Sequence, residues 1–128
     1  MRISMMEAYM IEALKERGYN FVSYEQAVQQ GIELEEVEGL IPLYEKNAPI
    51  LAKAFDGDYA ISFVTYNGFR NLIKMRYGIP LDSYRLEPNG IFDLNISNEI
   101  IEEITKFLSI NWTVERKGER VSFYVKGK

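Results

Sequence analysis

Histidine and cysteine are both missing from this 128-residue chain. Without them the protein has no imidazole to shuttle protons near neutral pH and no thiolate nucleophile. Cys-His and Ser-His-Asp catalysis, disulfide frameworks and the usual zinc sites are excluded together. Proline is scarce, at four residues, and no apolar run approaches the roughly 20 residues that a membrane-spanning helix requires. Glu7 interrupts the N-terminus before a secretory apolar stretch could develop, which points to a cytoplasmic protein with no membrane association.

Phosphate loops are also absent: neither GxxxxGK nor GxGxxG occurs. Asp56-Gly57-Asp58 begins like a calcium-binding loop, but Ala60, Ile61 and Asn67 stand where such a loop needs a ligand, its glycine and its bidentate glutamate. These residues therefore read as a turn between a helix and a strand. No cofactor and no metal is expected. A pair of carboxylates could still support hydrolysis, and the 19 acidic residues leave that chemistry open without singling out a pair.

Nine tyrosines, seven phenylalanines and one tryptophan are present in a chain that is 47% hydrophobic and 27% charged. That composition suits one self-sufficient domain whose core rests on aromatic area rather than on covalent staples. Charge is uneven along it. Residues 1–60 carry 5 basic and 11 acidic side chains, whereas residues 61–128 carry 10 and 8, so the halves stand at −6 and +2.

Helix signals dominate the first third. Ser4 and Glu7 form a capping-box pattern ahead of an apolar stripe at Ile3, Met6, Met10, Ala13 and Leu14, and Gly18 ends that helix. A second box at Ser23 and Gln26 opens a short helix closed by Gly31, and a third helix follows around Leu34, Val37, Leu40 and Ile41. Pro42 and Pro49 predict breaks near Ile41 and just before Ile50.

From residue 58 the pattern becomes mixed. Tyr59 to Tyr66 is rich in aromatic and β-branched residues and predicts a strand. Asn67 caps a helix bearing Phe69, Leu72, Ile73 and Tyr77; Pro88-Asn89-Gly90 joins two strands; Ser97 or Asn98 opens a helix with Glu102 and Lys106 paired outside. A turn at Lys117-Gly118 would set Val114 opposite Val121, Trp112 opposite Phe123 and Ile110 opposite Val125, giving one wholly apolar face. A slip of one residue would destroy that face.

The expected architecture is thus α+β in a single domain: a helical part over residues 1–57, then a ferredoxin-like-order βαββαβ(β) unit over 58–128 ending in a β-hairpin. That strand order also belongs to RNA-recognition domains, but Asp93 falls where a base-stacking aromatic is needed, so that reading is rejected. Residues 23–44 have helix-turn-helix spacing, yet Glu33, Glu35, Glu36 and Glu38 would repel DNA phosphates.

Basic residues gather at Arg70 and Lys74 on one helix and again at Arg116, Lys117, Arg120, Lys126 and Lys128 on the final hairpin; Arg70, Lys74, Arg116, Lys117 and Arg120 are the candidate binding residues. Arg76 falls within the apolar arc of its helix and requires a carboxylate or backbone partner if covered. The missing catalytic residue types, the charge split and the tyrosines point to a small soluble non-catalytic interaction or regulatory protein that binds a protein partner, of inhibitor, immunity or adaptor type. The alternative is a nucleic-acid-binding regulator of winged-helix-like type that uses the C-terminal basic surface. An open sheet edge or an apolar helical face would permit a homodimer.

Overall fold

The structure is a computed structural model in which residues 2–125 are described. The first helix, α1 (Met5–Glu16), starts at the expected capping box: the Glu7 amide donates to Ser4 Oγ at 3.0 Å and the Ser4 amide to Glu7 Oε1 at 2.7 Å. Its buried face lies one step round from the expected stripe, because Ala8, Ile11, Glu12 and Leu14 point inward while Met6 is left exposed. In α2 (Phe21–Gln30) the cap is Asn20, and Ser23 is the third residue of the reciprocal box rather than its start. Gly31 closes this helix in the left-handed region at φ 68°, which glycine occupies without steric cost.

Both prolines act near the expected places. The short α3 (Glu35–Gly39) ends before Pro42, which sits in the first turn of α4 (Ile41–Phe55), where its missing amide is not needed. Inside α4 the backbone breaks at Asn47 (φ −157°, ψ 73°), two residues ahead of Pro49, and Asn47 Oδ1 accepts the Ile50 amide at 3.3 Å to restart the helix.

Tyr59 to Tyr66 departs from expectation. It is not a strand of the sheet, and the βαββαβ order therefore lacks its first strand. Its backbone groups are satisfied elsewhere: Ile3 and Ile61 form an isolated parallel bridge, the Ile61 amide donates to Phe107 O at 2.9 Å, and the Val64 amide donates to Ser109 Oγ at 3.0 Å. Local β preference thus makes the segment extended, while Ile3 near the N-terminus and Phe107 and Ser109 supply its partners.

The next helix, α5 (Tyr66–Tyr77), is capped by Thr65 rather than Asn67 and ends at Gly78 in the left-handed region. Two strands follow, β1 (Arg85–Glu87) and β2 (Gly90–Leu94), joined at Pro88-Asn89 as a hairpin. Here glycine serves close approach, not turn geometry. A Cβ on Gly90 would collide with the backbone of Phe123 and Tyr124 on the neighbouring strand.

Ser97 caps α6 (Asn98–Phe107), accepting the Ile100 amide at 3.3 Å. Lys106 pairs with Asp58 at 3.1 Å, across the tertiary structure, instead of with Glu102 on its own helix. The chain closes with β3 (Trp112–Lys117) and β4 (Arg120–Val125).

The sheet order is β1-β2-β4-β3, with every neighbouring pair antiparallel. Since β2 and β3 both oppose β4, they run parallel to each other with β4 inserted between them. A split βαβ unit through α6 is therefore present. The α+β class, the helical first part and the closing hairpin all agree with the sequence.

The hairpin register differs by two residues from expectation. Lys117 faces Arg120, Val114 faces Phe123 and Trp112 faces Val125, around a two-residue loop at Gly118-Glu119. Gly118 takes φ 61°, as the first central residue of a type II′ turn requires. A slip of two preserves which face each side chain occupies, so the apolar face survives although every pair changes.

One buried cluster runs through both parts. In the helical part Tyr24 packs against Tyr44 and Phe55; in the α/β part Phe69 meets Trp112, Phe123 and Phe107 at centroid distances of 4.9, 5.4 and 6.3 Å.

Candidate functional site

The five candidate cations take up separate positions. On α5, Arg70 Nε reaches Tyr84 Oη at 3.4 Å and its guanidinium lies over the Tyr66 ring, while Lys74 is exposed one turn on. At the tip of the closing hairpin Arg116 bonds Asn98 Oδ1 at the start of α6, Lys117 lies 3.7 Å from Glu115, and Arg120 donates to Asp93 O at 3.3 Å. The two sets thus answer to different partners.

Lys117 and Arg120 share the outer sheet face with an aromatic pair. Phe92 stacks on Tyr124 at 5.7 Å, and Arg85 covers Phe92 at 4.9 Å. Acids interleave with these cations. Arg85 is paired with both Glu87 and Asp93, at 3.3 and 3.2 Å, and Tyr124 donates to Glu115, the carboxylate that also neighbours Lys117. The Tyr124 hydroxyl is pushed up by burial and by that bond. A surface whose cations are compensated this way attracts a polyphosphate weakly, since affinity for nucleic acid rests on net neutralisation of phosphate.

A second cluster lies inside. Arg76, on α5, has the partners its position demanded: Nη2 donates to Gly57 O and to Glu103 Oε1, both at 3.0 Å. Its side chain is only 9% exposed, and the rings of Tyr59, Tyr77 and Phe107 lie 5.2 to 5.6 Å from its guanidinium carbon. Nη1 is buried without a hydrogen-bond acceptor, so these ring faces are what offset its desolvation.

Close by, Glu12 is 3% exposed and accepts a 2.6 Å bond from Tyr59 Oη, with Lys15 at 3.7 Å. Burial pushes the Tyr59 hydroxyl well above the ordinary tyrosine range, and neighbouring Glu12 reinforces the shift. Burial likewise raises Tyr77, with Arg76 opposing and Glu103 adding to it. For Arg76 burial acts to lower the value, but Tyr59, Tyr77 and Glu12 outweigh it and hold the guanidinium charged. This cluster ties α1, α5 and α6 to residues 57–59; Arg76, Glu12 and Tyr59 are buried in it, whereas Glu103 is half exposed.

A larger recess lies at the other end of segment 57–65. A groove of about 780 Å³ is lined by Phe63, Val64, Thr65, Tyr66, Pro88, Asn89, Asn111 and Val125. It lies between the N-terminus of α5 and the ends of β3 and β4, beside the β1–β2 turn. The segment that fails to join the sheet builds one wall, held by Trp112 Nε1 donating to Val64 O at 2.8 Å.

None of the described lining residues carries a charge; Lys126 and Lys128 lie outside the described residues. On this rim Phe63 is 60% exposed, and Ile110, next in sequence to the lining residue Asn111, is 94% exposed. Sequence pairing had set Ile110 on the covered face opposite Val125. Instead a turn in which the Trp112 amide donates to Ser109 O at 3.2 Å, with Ser109 Oγ bonding Asn111 Oδ1, lifts Ile110 into solvent. The Ser-Ile-Asn triplet before Trp112 was the signal, because Ser and Asn favour turns over strands.

Among the described residues, no group of three or more acidic side chains could hold a metal ion, and no helix is long and apolar enough to cross a membrane. No protein-family model matches the chain, and neither a curated protein nor a solved structure matches it.

Proposed function

We propose that this protein is a protein-binding module whose contact surface is the uncharged groove between Phe63 and Val125 together with the Phe63 and Ile110 side chains beside it. The observation that carries this reading is Ile110 at 94% exposure, next in sequence to Asn111 in the wall of a mainly apolar recess of about 780 Å³. Interface centres are depleted of charge and enriched in aromatic side chains, and the described lining residues include Phe63 and Tyr66 and no charged group. Exposed apolar side chains that cluster around a concavity are the features that partners bury first.

A photo-crosslinking residue placed at 110 tests this in the producing cell. Protein adducts are expected at 110, absent from the same probe at the exposed Val22, and abolished by Phe63→Asp. Equal labelling at both positions, unaffected by Phe63→Asp, would remove the proposal.

The nucleic-acid alternative draws support from the Phe92–Tyr124 stack beside Arg85, Lys117 and Arg120. It requires single-strand binding that falls steeply with salt and is lost on reversing Lys117 and Arg120. The paired acids on the same face favour the protein partner.

A further inference from the structure

The described lining of the groove is uncharged, yet the charges next to it are one-sided. Arg70 stands against one wall, its guanidinium carbon 5.7 Å from the ring centroid of the lining residue Tyr66. Among the described residues Arg70 pairs with no carboxylate. Its hydrogen bond from Nε to Tyr84 Oη is long, at 3.4 Å, and both terminal nitrogens are left without an acceptor. The side chain is half-buried, so solvent, or a partner that replaces solvent, completes its bonding.

We infer that the groove takes an acidic apolar segment of another protein, which sets apolar side chains against Phe63, Val64 and Val125 and a carboxylate against Arg70. This rests on the reading that the groove binds protein and names the chemistry of the partner.

Charge complementarity selects this occupant. The residues next in sequence to the eight lining ones include a single acid, Glu87, and Arg85 pairs with it at 3.3 Å. That acid is already neutralised, and Arg70 is not. The other charged residue among those neighbours is basic: Lys126, which follows Val125 and lies outside the described residues. All eight lining residues belong to the half of the chain that stands at +2, whereas the helical half stands at −6. An acidic partner is thus repelled by residues 1–60 and drawn to this end. The outer sheet face competes poorly, because Arg85 is held by Glu87 and Asp93, and Lys117 by Glu115.

Two lining amides favour a peptide over a free amphiphile. The Asn89 side chain makes no hydrogen bond among the described residues, and Asn111 uses only Oδ1, as acceptor from Ser109. Both can pair with a peptide backbone, whereas an alkyl chain would cover them unsatisfied.

Phage display of a random-peptide library on the immobilised full chain tests the inference. Peptides enriched on the wild type over Phe63→Ser are expected to combine apolar residues with aspartate or glutamate. Fluorescence anisotropy of an enriched peptide should then show affinity falling about three- to five-fold when its acid is replaced by the amide. Arg70→Gln should produce the same fall with the acidic peptide and none with the amide peptide. Lys117→Glu should leave both affinities unchanged. Arg70→Glu should bind the acid-to-lysine peptide more tightly than the wild type does, a gain that a misfolded variant could not give.

Enriched peptides that lack acids, or affinities indifferent to Arg70→Gln, overturn the acidic partner and leave the groove a protein site. No enrichment over Phe63→Ser also overturns it, as does binding of decanoate where no peptide binds. In those two cases the photo-crosslink at 110 decides by itself whether the groove meets protein.

Discussion

The two ends of the segment from Gly57 to Thr65 invert the usual rule of inside and outside. At its start, Gly57 and Tyr59 help enclose a carboxylate and a guanidinium; at its end Phe63 stands largely in solvent, as does Ile110. The buried charges are tolerable because each has assigned partners: Tyr59 and Lys15 for Glu12, Gly57 and Glu103 plus three ring faces for Arg76. Exposed apolar groups need no partner to keep the chain folded. The contrast separates a cluster that serves stability from a surface that is free to serve recognition.

Substitutions should therefore divide by region, and the largest effect belongs to the closed one. Phe69→Ala removes a fully buried ring in contact with Phe107, Trp112 and Phe123 and should cost about 3–5 kcal/mol by urea denaturation. Arg76→Ala comes next. Loss of its bonds to Gly57 and Glu103 should cost about 1.5–3 kcal/mol. Arg76→Lys should recover little, because a compact ammonium cannot reproduce the planar contact with the rings. Full recovery by lysine would show that charge alone matters there.

A smaller effect separates the interior from the surface by pH. Burial raises Tyr24 from about 10 to about 12, and its hydroxyl donates to Val37 O at 3.0 Å. A tyrosine whose value is raised on folding contributes stability that is complete below about pH 10 and is lost as pH climbs toward 12, since the unfolded chain ionises first. Tyr59 and Tyr77 are raised in the same direction and extend the loss to still higher pH. Tyr24→Phe should cost about 1 kcal/mol at neutral pH and shallow the alkaline decline, as denaturation at pH 8 and above 10 would reveal. An unchanged slope would mean that Tyr24 is not held in its protonated form by the fold.

The smallest effects belong to the open end. Ile110→Asp and Phe63→Asp should each change monomer stability by no more than about 0.5 kcal/mol while altering association. If either destabilised the isolated chain strongly, the supposed recognition surface would instead belong to the core.

How much could be read in advance varies with the range of the interaction. Ser4 with Glu7 and Gly31 act within a few residues, so their patterns predicted the cap and the helix end. Asn20 and Thr65 displaced the expected caps by only two or three residues. At Arg76 the need for a partner was legible from its place among apolar neighbours, but Glu103, 27 residues away, was not. Of the candidate site, the five cations were visible in sequence. The groove was hidden, because its walls come from residues 63–66, 88–89, 111 and 125.

By itself the sequence determined the helices and the four sheet strands, the helix ends set by glycine and proline, the two hairpins and the face taken by the side chains paired within them. These depend on allowed backbone angles and on the period-two alternation of strands, both properties of neighbouring residues. Tertiary structure decided the two-residue shift in register, which alternation cannot detect, and the fate of segment 59–66, whose backbone found Ile3, Phe107 and Ser109 instead of a sheet neighbour. It also decided that Arg76 is enclosed and Ile110 is not. Burial depends on what distant parts of the chain place overhead, and no local pattern carries that information.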